Sequence, residues 1–175
     1  MTLYGNLLGA RFEALPAQVR AFHNPVGVTR WAGKAKVRRG HHPLARLTCR
    51  MFGFPSEGDA VPLTLTVTPL NGAERWDRSF GGVVMSSVQR VRQGTLIEHL
   101  GPMRIYMTPV IKGNRFSVKP VGWSFLGLPL PSVLMPTSEN YETEVDNRFH
   151  FDVAIAMPLI GPIVSYRGYL EAQDV

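Results

Sequence analysis

Cysteine is almost missing from this chain: Cys49 stands alone. One thiol can form neither an internal disulfide nor a zinc site built on thiolate pairs, and it suits a reducing compartment, most simply the cytoplasm. Long apolar runs are missing too, since no segment approaches the roughly 18 residues that a transmembrane helix needs. Residues Met1 to Ala10 lack the charged start, apolar stretch and small-residue cleavage site of a secretory leader. Motifs of catalysis are equally scarce. There is no Gly-x-Ser-x-Gly elbow, and neither Gly5 to Gly9 nor Gly81-Gly82 has the lysine and helix start of a phosphate loop. His41-His42 has no third ligand nearby, so no metal site is expected, and no cofactor.

What is present fits one folded domain spanning residues 1–175. Hydrophobic residues make up 45% of the sequence, the ordinary level for a globular core. The formal net charge is +6. The cations are spread along the first three quarters of the chain, and the last stretch, from Pro131 onward, is acidic. Spread charge reads as a solvated surface, so nucleic acid is not expected as a partner and attraction to an anionic membrane should be weak.

The hydrophobic pattern predicts two short helices near the N-terminus. Glu13 to His23 carries Leu15, Val19 and Phe22 at helical spacing and ends before Asn24-Pro25. Pro43 to Phe52 carries Leu44, Leu47 and Met51 on one face, with Arg46 and Arg50 beside it, and Gly53 stops it. Elsewhere the signals are those of strands: Arg30 to Val37, Pro62 to Pro69, Glu74 to Phe80, Val83 to Arg92, Thr95 to Leu100, Met103 to Ile111, Arg115 to Leu126, Tyr141 to Val145, Arg148 to Met157 and Ile163 to Leu170. Asn71-Gly72 and Gly113-Asn114 are two-residue hairpin signals, and Pro120 predicts a bulge or an edge. The fold class is therefore mainly β (α+β), a curled antiparallel sheet or β-barrel of about ten strands with two short helices covering one end.

Candidate chemistry centres on Arg148-Phe149-His150-Phe151-Asp152. Alternation puts Arg148, His150 and Asp152 on one strand face, where a carboxylate could orient an imidazole, and puts Phe149, Phe151, Val153 and Ile155 on the other, expected to be buried. Leu126 to Pro136 is apolar and broken by prolines, and is expected to fold over the core as a flap. Met103, Met107, Met135 and Met157 offer adaptable apolar surface.

A set of landmarks adds a resemblance. Trp31-x-Gly33, Arg39-Gly40, Leu44 to Leu47, Phe52-Gly53-Phe54-Pro55, Phe80-Gly81-Gly82, Gly101-Pro102, Gly127 to Pro131 and Phe149 to Asp152 together resemble the bacterial family catalogued as domain of unknown function forty-one sixty-six, over about residues 15–171. That family often follows a saccharopine-dehydrogenase-like reductase domain. The resemblance implies a reductase partner and service to small-molecule or lipid metabolism. It implies no catalytic residues, and nothing here binds a dinucleotide by a Gly-rich turn.

Three readings follow. The first is a non-catalytic module that binds an apolar small molecule or lipid-like metabolite, with Tyr106, Trp123, Tyr141, Tyr166, Arg104, Leu128 and Leu130 around the pocket. The second is a small enzyme using His150 and Asp152, helped by Arg148 or Arg104. The third is a protein- or membrane-docking domain that uses Arg46, Arg50 and the apolar loop. An enclosed cavity supports the first, and an exposed apolar patch beside the two arginines supports the third.

Overall fold

A computed structural model describes residues 2–174. Eleven strands form one antiparallel sheet: β1 (Thr29–Arg39), β2 (Gly58–Leu70), β3 (Ala73–Phe80), β4 (Val83–Arg92), β5 (Thr95–Leu100), β6 (Met103–Lys112), β7 (Arg115–Phe125), the two-residue β8 (Leu128–Pro129), β9 (Thr137–Val145), β10 (Arg148–Met157) and β11 (Gly161–Gln173). Neighbours run β6-β5-β4-β3-β2-β1-β11-β10-β9-β7, and β6 pairs with β7. The sheet therefore closes into a ten-stranded barrel, with β8 as an extra strand on β7. Closure removes the edges that an open sheet of this size would expose.

The turns follow the local chemistry. Asn71-Gly72 joins β2 to β3 and Gly113-Asn114 joins β6 to β7, with positive φ at Gly72 and Gly113. Asp146-Asn147 makes the β9–β10 turn with both residues left-handed, as a two-residue hairpin of the primed type requires. Pro120 sits at a bulge: Tyr106 faces Gly122 but Met107 faces Pro120, leaving Val121 unpaired and more than half exposed. Gly33 is required by curvature. A Cβ there would meet the Tyr169 carbonyl oxygen on β11 at 1.9 Å.

Because all neighbours are antiparallel, successive connections alternate between the two ends of the barrel. One end is a floor. It is plugged by the N-terminal segment: α1 (Leu3–Leu8), a 3-10 turn over Gly9–Ala14, and α2 (Ala17–Phe22). Phe22 stacks on Phe149 of β10 at 4.1 Å and meets Trp31 of β1 and Trp76 of β3 edge-on, each at 5.2 Å. The other end carries α3 (Pro43–Met51). It lies on β11 through its small residues, Ala45 and Cys49, both fully buried. The helix is held close: the chain just before it is tied by a Gly40 N–H to Ile163 carbonyl bond of 2.9 Å, and Cys49 Sγ donates to the same oxygen at 3.4 Å.

Two sequence expectations need correcting. A third short helix, α1, precedes the two expected. Its four apolar residues Leu3, Tyr4, Leu7 and Leu8 are all buried against the barrel, which stabilises a helix too short to persist alone. The Leu126–Pro136 loop is not tucked over the core as a whole. Leu126, Leu128 and Val133 are 73%, 68% and 74% exposed, because β8 doubles back on the outer end of β7, and only Leu130 and Pro136 turn inward.

Candidate functional site: the barrel lumen

The lumen holds a cavity of about 400 Å³. Its walls are apolar along most of their length: Met85, Leu100, Met103, Ile105, Met107 and Ile155 contribute, along with Trp123, Phe125, Val153 and Met157. At the α3 end Met51, Phe52 and Phe54 border the opening. Arg39 shapes this border by donating to the Phe54 and Pro55 carbonyls, which fixes the loop after α3.

Toward the floor the lining becomes polar. Arg78 of β3 donates to Ser87 Oγ at 2.9 Å and to Glu98 Oε1 at 3.3 Å. Ser87 Oγ donates to the same Glu98 oxygen at 2.6 Å, and Gln89 Nε2 does so at 3.3 Å. The Arg78 guanidinium also lies over the Trp76 ring, 5.0 Å from its centre. Tyr4 OH of the plug donates to Gln89 Oε1 at 2.8 Å. His23, fully buried at the end of α2, bonds Glu142 Oε2 through Nε2 at 2.5 Å and stacks on Tyr4 at 3.8 Å, while its Nδ1 has no partner among the described residues. Glu74 accepts from Trp76 Nε1 at 3.2 Å, and burial pushes its carboxyl above the usual range. Burial, reinforced by Glu142, Glu74 and Glu98, holds the Tyr4 phenol well above its ordinary value. Burial also raises that of Tyr166, so both remain neutral donors.

The sequence candidates fall on both sides of this wall. Trp123, Tyr166 and Leu130 line the cavity, and Trp123 Nε1 donates to the Pro131 carbonyl at 3.1 Å, tying the loop to the opening. Tyr141 stands where β7 and β9 diverge, at the edge of the cavity, with the Arg115 guanidinium 4.3 Å from its ring centre. Tyr106 alternates with cavity-lining Ile105 and Met107 and lies outside, over Gly122. Arg104 and Leu128 are exposed on the outer surface.

Phe149 and Phe151 are buried, as their phase on β10 requires, so Arg148, His150 and Asp152 face outward. Arg148 pairs with Glu171 at 2.8 Å, the His150 ring lies tilted beside that of Tyr169 with centres 5.9 Å apart, and Asp152 stands opposite Arg167 of β11. Desolvation lowers the His150 pKa, with Asp146 opposing and Arg148 assisting. His150 and Asp152 border a shallow outer groove with Lys34 and Lys36, separate from the lumen, and Arg148 lies outside it. Among the described residues no group of three or more His, Cys, Asp or Glu could hold a metal ion, and no helix is long and apolar enough to cross a membrane.

The polar floor is what sequence reasoning missed. Its signal lay in β3, where Glu74, Trp76, Arg78 and Phe80 share a face, so polar groups keep phase with two aromatic residues.

The family whose pattern the chain matches is described as Domain of unknown function (DUF4166), over residues 15–170. The chain belongs to that family. Among curated proteins none matches it. The landmarks that carried the resemblance have structural tasks in this DUF4166 domain: Trp31 and Gly33 shape β1 over the plug, Arg39 and Gly40 seat α3, Phe52 and Phe54 border the opening, and Phe149 receives Phe22.

Proposed function

We propose that this domain binds an apolar small molecule with an uncharged polar head, its body in the barrel lumen and its head at the floor. The observation that carries this reading is the cavity itself: about 400 Å³, within the range of small-molecule sites, apolar along its walls and ending on a fixed hydrogen-bonding group.

The charge pattern supports a neutral head. Arg78 is already paired with Glu98, and Glu98 and Glu142 both line the cavity. A carboxylate head would sit beside two carboxylates and compete with Glu98 for Arg78, whereas a hydroxyl could donate to Glu98 and accept from Tyr166. An unpaired charge in such a place is costly. The family's company with reductase domains, and a lone buried thiol at Cys49, fit a module serving small-molecule chemistry in a reducing compartment.

The test is thermal unfolding of the purified domain with long-chain alcohols, ketones and carboxylates of matched chain length. A ligand bound only by the folded state adds about 2.7 kcal/mol at a hundred times its Kd, which for 175 residues is a rise of about 5–10 °C in Tm. Alcohols or ketones should shift Tm with at least about tenfold higher affinity than the carboxylate at neutral pH, and Trp123→Ala should weaken the effect. A panel without any shift would refute the binding reading; a preference for the carboxylate would refute only the neutral head.

A further inference from the structure

Exposed apolar side chains are concentrated at one end of this barrel. Of the fifteen large hydrophobic residues exposed among those described, ten lie at the α3 end: three on α3 itself, Val83 and Val84 at the start of β4, four in the Leu126–Pro136 loop, and Leu159 in the β10–β11 turn. α3 is seated by Ala45 and Cys49, so its larger apolar side chains point away from the barrel: Leu44, Leu47 and Met51 are 50%, 60% and 58% exposed. Met51 belongs both to this patch and to the lining of the cavity, and half-buried Leu130 lines the cavity from the same loop that carries four patch residues, so the patch borders the opening.

The loops of this end carry little charge, and cations outnumber acids there. Segments 81–84, 100–103, 126–136 and 157–161 contain no ionisable acid or base, and α3 contributes only Arg46 and Arg50. Neither arginine is in an ion pair with the described residues. Glu57, the acid after α3, already accepts the Arg39 backbone N–H. In the sequence the cations look evenly spread; folding leaves these two unpaired beside the apolar rim.

We propose that this end docks on the surface of an anionic lipid bilayer. Aliphatic side chains on several separate turns suit shallow insertion among head groups, with Arg46 and Arg50 supplying attraction to anionic lipid. The opening of an apolar cavity would then face the one environment in which apolar molecules are abundant. This surface is independent of the bound molecule's identity, and its test uses the domain without added ligand.

The experiment is co-sedimentation with vesicles of phosphatidylcholine plus phosphatidylserine, against phosphatidylcholine alone. The expected result is binding to the mixed vesicles that weakens with salt. Arg46→Ala with Arg50→Ala should lower partitioning about thirtyfold, roughly fivefold for each arginine at an anionic surface. Leu47→Ser with Leu128→Ser, both at exposed positions, should lower it by at least about tenfold. Leu70→Ser, at the opposite end, should leave it unchanged. The proposal is overturned if the mixed vesicles bind no protein, if Leu70→Ser is as damaging as the rim variants, or if size exclusion shows a dimer that the Leu47→Ser, Leu128→Ser variant dissociates, which would make the patch a contact between two copies.

Discussion

Replacing Phe22 by alanine tests whether the N-terminal segment is an integral floor of the barrel. Phe22 is 1% exposed and touches rings from three strands: Phe149 stacked at 4.1 Å, Trp31 and Trp76 edge-on at 5.2 Å. Truncating a buried phenylalanine costs about 3–5 kcal/mol, made of the lost transfer energy and of the cavity that remains. Here the cavity cannot collapse easily. Its walls are aromatic residues on β1, β3 and β10, held by ladder hydrogen bonds, so the upper half of that range, about 4–5 kcal/mol, is expected. With total stabilities of about 5–15 kcal/mol, this is about a quarter or more of the whole. In urea, with a slope of about 2 kcal/mol per molar, the midpoint should fall by about 2 M with the slope unchanged. Val26→Ala, at an 88% exposed position a few residues away, is the control and should leave the midpoint in place. A Phe22→Ala midpoint within about 0.5 M of the parent's, which is about 1 kcal/mol at that slope, would refute the reasoning, because the plug could not then be packed on the barrel.

Two further outcomes follow from the site. Burial raises the Glu74 carboxyl, so the folded state holds that proton at pH values where the unfolded chain has released it. The stability it contributes is complete at low pH and is lost as pH rises from the ordinary glutamate range through the folded value. The stability of Glu74→Gln relative to the parent should therefore increase with pH over that window in urea titrations, and a decrease would be incompatible with a raised carboxyl. On the outer face, His150→Ala and Asp152→Ala should change stability by no more than about 0.5 kcal/mol each and leave any ligand-induced rise in Tm intact, since neither lines the lumen. A loss of the ligand effect in either variant would return attention to the outer groove.

The barrel was legible because its determinants are local. Hairpin dipeptides at Asn71-Gly72 and Gly113-Asn114, the bulge at Pro120 and the alternation of Phe149 and Phe151 each depend on a few adjacent residues. The features that escaped depend on distant partners. Leu44, Leu47 and Met51 mark a helix by their spacing, but spacing cannot say which face is buried; that is decided by the close approach of Gly40 to Ile163, which seats the helix on Ala45 and Cys49. Arg78 and Glu98 are twenty residues apart and meet because β3, β4 and β5 lie side by side, with Ser87 of the intervening strand bonded to both. His23 meets Glu142 of β9, 119 residues away, only because the plug is seated in the barrel. Of the expected pocket residues, Trp123 and Tyr166 face the lumen while Tyr106 does not. The difference is one of strand phase: Met103, Ile105 and Met107 hold the inward phase of β6, which leaves Tyr106 outside, and on β7 the extra residue beside Pro120 brings Trp123 inward.

The two ends of the barrel differ in what it would take to move them. At the floor, rings from α1, α2, β1, β3, β7 and β10 pack together and most polar groups are bonded to one another, so opening would expose aromatic surface and break buried polar bonds. At the other end the border is made of half-exposed Met51, Phe52 and Leu130, which can change rotamer without unpairing anything. The wall between is also weakest on that side. β7 and β9 share a single ladder pair, Phe116 with Glu142; beyond it Asn140 bridges the strands through its side chain, accepting from Val118 N–H at 2.9 Å and donating to its carbonyl at 2.7 Å. A guest would therefore enter from the α3 end and travel toward the floor. A neutral head can lead through the apolar passage at modest desolvation cost, where a charged head would meet a steep barrier. A molecule resting in a bilayer already presents its head at the interface, the level at which the apolar rim and Arg46 and Arg50 would hold the opening. Head-first transfer would then bring hydroxyl or carbonyl to Glu98 and Tyr166 and leave the body among Met103, Ile105, Met107 and Trp123. For the guest proposed above, the polarity of the lumen, the position of the plug and the one-sided apolar rim would thus favour one direction of entry.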